Sequence, residues 1–159
     1  MSTDQTLSEE DLRQALELLF FAYRDFTGEA DTLLEDFGFG RAHHRVIYFV
    51  NRNPSISVNG LLRILKITKQ SLSRVLGQLV REGFIDQKTD SHDRRRRTLT
   101  LTDKGIELES RLTKCQGVRM QQAFAASGEN AVQGFKKVLS EMINAEDRKR
   151  YTGGAPHTD

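Results

Sequence analysis

Between Ser57 and Thr102, three potential helix caps and a run of four arginines follow one another in an order that leaves few architectures open. Ser57 can cap a helix carrying Leu61, Leu62, Ile64 and Leu65, because a serine oxygen can accept one of the unpaired first-turn N–H groups. Lys66-Ile67 supplies a short turn, and Thr68 caps a second helix running to about Glu82. Leu72, Val75, Leu76, Leu79 and Val80 recur on it at three- and four-residue steps, the period of one buried helical face. Gly83 ends that helix. Residues 84–88 and 97–101 then alternate or are β-branched enough for two short strands. Thr89-Asp90-Ser91-His92-Asp93 provides turn chemistry between them. Thr102 caps a long following helix, with Asp103 in its first turn where the helix dipole favours a negative charge.

The flanks are helical. Ser8, with Asp11 three residues on, approximates a capping box. Leu12, Ala15, Leu16, Leu19, Tyr23 and Phe26 then form one apolar stripe, which Phe20 and Phe21 broaden. Gly28 is read as its stop, followed by a connector with Leu33, Leu34 and Phe37, and by Gly38-Phe39-Gly40 as punctuation. A second helix from Arg41 to about Asn51 carries Val46, Ile47, Phe49 and Val50, and must end before Pro54. Beyond Thr102, Ile106, Leu112, Cys115 and Val118 mark the apolar side of the fifth helix. Ser127-Gly128 breaks the chain, and a sixth helix carries Val132, Phe135, Val138, Leu139, Met142 and Ile143.

The 159 residues suffice for one well-buried core. The whole chain, 1–159, is therefore expected to form one mainly α domain with a small β-hairpin. Residues 8–38 would supply an N-terminal dimerisation helix and connector, 39–105 the central module, 106–150 C-terminal dimerisation helices and 151–159 a frayed tail. A monomer would leave the broad apolar stripes exposed, so a homodimer is expected. No apolar run is long enough to cross a membrane. The polar, acidic start lacks the pattern of a signal peptide. One cysteine allows no internal disulfide and suits a reducing cytoplasm.

The net charge of +2 conceals a strong asymmetry. Residues 1–38 hold two Lys/Arg against ten Asp/Glu, residues 39–105 hold fourteen against five, and residues 106–159 hold eight against seven. A basic block confined to one module is the footprint of a polyanion-binding surface.

Helix, turn, helix and cationic hairpin together outline a winged helix-turn-helix, whose second helix enters the DNA major groove. Its leading edge here is Thr68-Lys69-Gln70-Ser71, followed by Ser73 and Arg74. Hydroxyls, an amide and a guanidinium are the groups that base edges and phosphates can use. Gln70 suits adenine, Arg74 guanine or a phosphate, and Thr68 or Ser71 a phosphate at the helix start. Ser57, Lys69 and Ser73 complete the expected contacts on the helical side. In the hairpin, Arg94, Arg95, Arg96 and Arg97 crowd like charges where stability gains nothing, whereas a narrow minor groove attracts arginine. Asp93 either pairs with a neighbouring arginine or caps the turn, and strand alternation should make the four arginines inequivalent.

Several of these motifs resemble the MarR family of bacterial transcription regulators. They are Leu79-Val80-Arg81-Glu82-Gly83-Phe84-Ile85, the Asp93-Arg94-Arg95 wing, and Leu101-Thr102-Asp103-Lys104-Gly105 at the expected spacing after it. The specific motifs cover roughly residues 39–105, and the order of elements extends the likeness to the whole chain. The resemblance implies a cytoplasmic, nucleoid-associated homodimer that joins through its terminal helices and represses from a pseudo-palindromic double-stranded operator. It also implies release by a small effector, typically a phenolic or otherwise apolar acid, bound between the dimer layer and the module. Arg95, second after Asp93, corresponds to the minor-groove finger. Gly60 stands where relatives often carry an acidic residue, and Gly77 lies mid recognition helix; both read as local softening.

The remaining chemistry is sparse. His43 and His44 sit about 100° apart on a helix, so they cannot easily chelate one metal together; they read as structural, the alternative being a histidine that faces the effector cavity the resemblance implies. Cys115 falls on the apolar spacing and reads as buried. No catalytic constellation or nucleotide fingerprint occurs, so neither enzyme activity nor a cofactor is expected. The alternative function is a winged-helix protein-interaction module, which would have little use for four arginines beside a Thr-Lys-Gln-Ser helix start.

Overall fold

Seven helices and three short strands make up the protein in the computed structural model, which describes residues 6–152. The order is α1 (Glu9–Glu35), α2 (Arg41–Arg52), β1 (Ile56–Ser57), α3 (Val58–Leu65), α4 (Lys69–Arg81), β2 (Ile85–Thr89), β3 (Arg97–Leu101), α5 (Asp103–Ser127), α6 (Glu129–Met142) and α7 (Ala145–Thr152). The mainly helical winged helix-turn-helix expected from the sequence is the fold observed.

Each expected cap is made. The Ser57 hydroxyl accepts from the Gly60 N–H, Thr68 from Ser71 and Thr102 from Gly105. Ser8 and Asp11 complete the reciprocal capping box of α1. The helix-turn-helix corner is closed by Lys66 in the left-handed region, at φ 51°. Gly83, at φ +81°, ends α4 and turns the chain into β2.

Four expectations about the elements are corrected. First, α1 does not stop at Gly28. Thr27, Ala30 and Leu34 are buried, and burying those side chains outweighs the ~1 kcal/mol cost of a mid-helix glycine. The chain breaks instead at Gly38, φ +67°. Second, the wing hairpin has a third strand. β1 pairs antiparallel with β3 through Ile56–Leu99 and Ser57–Thr98, which makes β3 the centre of a β1-β3-β2 sheet. Third, β2 begins at Ile85 rather than Phe84, in register with Leu101. Fourth, Tyr151 and Thr152 end a seventh helix rather than beginning a frayed tail; the rest of that expected tail, 153–159, lies outside the described residues. Arg148 makes the α6–α7 elbow, donating to the carbonyls of Glu141 and Ile143.

One core serves all the layers. Val46, Ile47 and Val50 of α2, Leu72 and Leu79 of α4, Phe84 just before β2, Leu99 of β3 and Leu112 of α5 are essentially inaccessible. The module is thus fused to α1 and α5 by continuous packing, and the exposed polar face of α4 lies opposite its buried side. On the outer layer large apolar side chains remain exposed: Leu16 and Leu18 at 68% and Phe20 at 63% on α1, Val138 at 59% and Met142 at 60% on α6.

The two unusual glycines differ in kind. A Cβ at Gly60 would lie 3.1 Å from Ile56 Cγ1 and 3.2 Å from Ser57 Oγ, so this position marks a tight β1–α3 corner rather than softening. At Gly77 the nearest neighbour would be the flexible Arg81 guanidinium, 3.3 Å away. Gly77→Ala is therefore expected to stabilise the protein by about 1 kcal/mol, raising Tm by about 2–4 °C. Thermal denaturation reads this directly, and a lower Tm would show that the glycine is required.

Candidate nucleic-acid interface

The start of α4 separates its two faces cleanly. Leu72 and Val75 are buried, while Thr68, Lys69, Gln70, Ser71, Ser73 and Arg74 are all exposed. Thr68 Oγ1 accepts from the Ser71 N–H at 3.1 Å and donates to Ser71 Oγ at 2.8 Å, so the two hydroxyls fix each other. The N–H groups of Lys69 and Gln70 belong to the first turn, where helix donors lack intrahelical acceptors and favour an anion.

The wing is shaped by two aspartates. Asp93 Oδ1 accepts from the Arg95 N–H at 2.9 Å and its carbonyl accepts from the Arg96 N–H at 2.9 Å, which places Arg94 and Arg95 at the centre of a β-turn. Of the two roles expected for Asp93, the structure selects turn capping. Asp90 accepts from the His92 N–H at 2.8 Å, and that bond is the first cause holding its carboxyl below the ordinary range.

The four arginines are inequivalent, as expected, though the turn rather than strand alternation sorts them. Arg94 and Arg95 lie at the tip and are exposed. Arg96 is folded back, its Nε 3.8 Å from Asp90 Oδ2. Arg97 is exposed and enters β3, where it pairs with Thr89.

Ser57 departs from expectation. It is 8% exposed and its Oγ is spent on the Gly60 N–H. It therefore supports the module from within and cannot contact a duplex through its side chain. The basic block is likewise narrower than its charge suggests. Lys104 donates to the Glu82 carbonyl, Arg41 forms a two-nitrogen pair with Asp31, and Lys66 reaches Asp147 at 3.5 Å.

The Leu-Thr-x-x-Gly motif anchors the wing. The Thr102 N–H donates to the Phe84 carbonyl at 3.1 Å, and its hydroxyl to the Gly83 carbonyl at 2.6 Å. Gly105 lies so close to the Phe84 carbonyl that a Cβ there would sit 2.1 Å from the oxygen.

The adjacent histidines part ways: His44 faces a cavity, the alternative the sequence left open for one of them, while the bond that His43 makes to α4 was not foreseen. His43 is buried against α4, as described below. His44 lines a cavity of about 540 Å³ between α1, α2 and α5, with Tyr23, Phe26, Tyr48, Phe49 and Arg45 among its walls. Burial pushes the His44 imidazole below its usual range, against smaller opposing pulls from Asp31 and Glu109. Arg45 donates to the Tyr23 hydroxyl at 2.9 Å, a neutral partner that leaves its charge available. Cys115 is half-buried rather than buried, its thiol 3.6 Å from Glu29 Oε2. Burial first, then Glu29, push that thiol up, which opposes thiolate chemistry. Among the described residues no cluster of His, Cys, Asp and Glu could hold a metal ion. No described helix is long and apolar enough to cross a membrane.

A capped helix with a polar leading face, beside a wing that exposes three arginines, two of them at its tip, is the arrangement of the DNA-binding winged-helix class. Comparison with known proteins agrees. The sequence profile of the MarR family matches residues 37–96. Over 145 residues the chain is 45% identical to the HTH-type transcriptional regulator PetP of Rhodobacter capsulatus, spanning 91% of this chain and 87% of that protein. Streptococcus pneumoniae FabT, crystallised in complex with DNA, matches with a TM-score of 0.74 at 17% identity, over 82% of this chain and 94% of that one. The S. aureus MepR–DNA complex matches with a TM-score of 0.65 at 23% identity, over 79% and 93%. These two likenesses establish the fold. The chain belongs to the MarR family of transcriptional regulators, DNA-binding proteins rather than enzymes.

Proposed function

We propose that the protein acts as a homodimeric repressor on a pseudo-palindromic double-stranded operator. Each subunit would place α4 in a major groove and the Arg94-Arg95 wing tip in the adjacent minor groove, with half-sites about one helical turn apart. The observation that carries this reading is that the polar face of α4 and the wing tip are both solvent-exposed on one rigid module, with a turn that Asp93 organises. Lys69, Ser71, Ser73 and Arg97 would add backbone contacts around Gln70, Arg74 and Arg95, and Arg96 would hold the turn. The exposed apolar side chains of α1 and α6 suit a second copy of the chain. The division into an N-terminal helix (8–38), a DNA-binding module (39–105) and C-terminal helices (106–150) follows from the same reading. FabT and MepR were each solved with DNA; work on a chromosomal operator would place this chain in the cytoplasm, at the nucleoid.

Gln70 tests base reading. Gln70→Ala is expected to relax preference at one or two operator positions while leaving the salt dependence of binding unchanged. Uniform weakening on every duplex, with a shallower salt slope, would make Gln70 a backbone contact instead.

The cavity beside His44 suits a small aromatic or otherwise apolar acid, its rings against Tyr23, Phe26 and Phe49 and its carboxylate toward Arg45. Aromatic carboxylates are expected to raise Tm and to release DNA, and Arg45→Ala to abolish both effects. Equal thermal shifts in wild type and variant would place the acid elsewhere.

A further inference from the structure

His43 and Gln78 are joined across the α2–α4 contact by a 2.8 Å hydrogen bond between His43 Nε2 and Gln78 Oε1. The histidine is only 8% exposed and its ring stacks on Phe39, with centroids 4.7 Å apart and planes 13° from parallel. Its Nδ1 accepts from the Gly40 N–H at 3.1 Å. A backbone N–H can only donate, so Nδ1 carries no proton and the neutral ring bears its hydrogen on Nε2. Nε2–H then donates to Gln78, whose own amide nitrogen donates toward Glu82 Oε1 at 3.4 Å. Every polar atom of the ring is committed, in one tautomer.

Gln78 is distinctive in its position along α4. Gln70, Arg74 and Gln78 are successive members of one i, i+4 row. One end of the row is exposed at the helix start; the other is held by His43. Elsewhere α4 is fixed by Leu72, Val75, Leu76 and Leu79, and apolar packing has no directional preference of its own. A hydrogen bond does have direction, and base readout depends on where a side chain is aimed.

We propose that His43 is a positioning residue for sequence recognition, its Nε2–H bond to Gln78 setting the rotation of α4 at which Gln70 and Arg74 meet the bases. The proposal rests on the reading of α4 as the DNA-reading helix. It also makes α2 a shared element, since the next residue, His44, lines the cavity.

The test is a double-mutant cycle in the full chain, on the duplex that the wild-type protein selects from a random pool and on a scrambled duplex. His43→Asn keeps an acceptor for the Gly40 N–H but is too short to reach Gln78. Gln78→Met keeps the length and removes the acceptor. Each single variant is expected to lose about tenfold in discrimination between the duplexes. The double variant should lose the same factor, not its square, because the two residues act through one bond. Unchanged discrimination in the single variants, or multiplied losses in the double, would overturn the proposal while leaving the reading of α4 intact. A wild-type protein that selects no duplex would remove that reading and the proposal with it. Should His43→Asn fail to fold, nitrogen-15 spectra of the wild-type histidines still decide: the Nε2–H tautomer at His43 is expected, and an Nδ1–H or doubly protonated ring overturns the link.

Discussion

Arg95→Ala should weaken operator binding by about tenfold to a hundredfold while leaving thermal stability unchanged. The two halves of this expectation come from the same turn. The Arg95 backbone N–H is fixed on Asp93 Oδ1, whereas its side chain is exposed at the tip. Removing that side chain takes nothing from the fold, yet it removes a cation already carried to the end of a rigid hairpin. Arg96→Ala is the informative contrast, because Arg96 is folded toward Asp90. It should loosen the tip and reduce affinity indirectly. A mobility-shift titration of both variants at moderate salt, with melting curves alongside, checks the pair. Unchanged affinity in Arg95→Ala would remove the wing from the interface.

The second large effect is on stability. Gly105→Ala is expected to destabilise the protein by about 2–4 kcal/mol, lowering Tm by about 5–15 °C. The new Cβ would sit 2.1 Å from the Phe84 carbonyl oxygen and 3.3 Å from Leu101 Cβ. Neither neighbour is the loose end of a side chain. The same oxygen accepts the Thr102 N–H, so any retreat of the Phe84 peptide sacrifices that bond and shifts the base of the wing. Denaturant titration reads the loss directly; a change below about 0.5 kcal/mol would show that the contact relaxes without cost.

The helix caps and the wing turn were legible in the sequence because the forces that make them are local, whereas the Gly105–Phe84 contact was not. The caps at Ser57, Thr68 and Thr102 each act over three residues, and Asp93 acts over two. What sequence reasoning missed depends on partners far along the chain. Gly28 read as a stop because its own propensity says so, yet Ala30 and Leu34 are buried by elements that come later. β1 is two residues long and exists only because Leu99 and Thr98 lie alongside it. His43 meets Gln78 across 35 positions. Ser57 illustrates a subtler failure: its cap was foreseen, but its 8% exposure was not, and burial decides whether a hydroxyl can touch DNA.

Selection of bound duplexes from a random pool by the purified protein tests the central claim most directly. A two-fold-symmetric motif with half-sites about one helical turn apart is the result this account predicts, since only a dimer with two reading helices produces it. Recovery of no motif, with binding that vanishes as salt rises, would contradict it and leave a winged-helix module with general polyanion affinity.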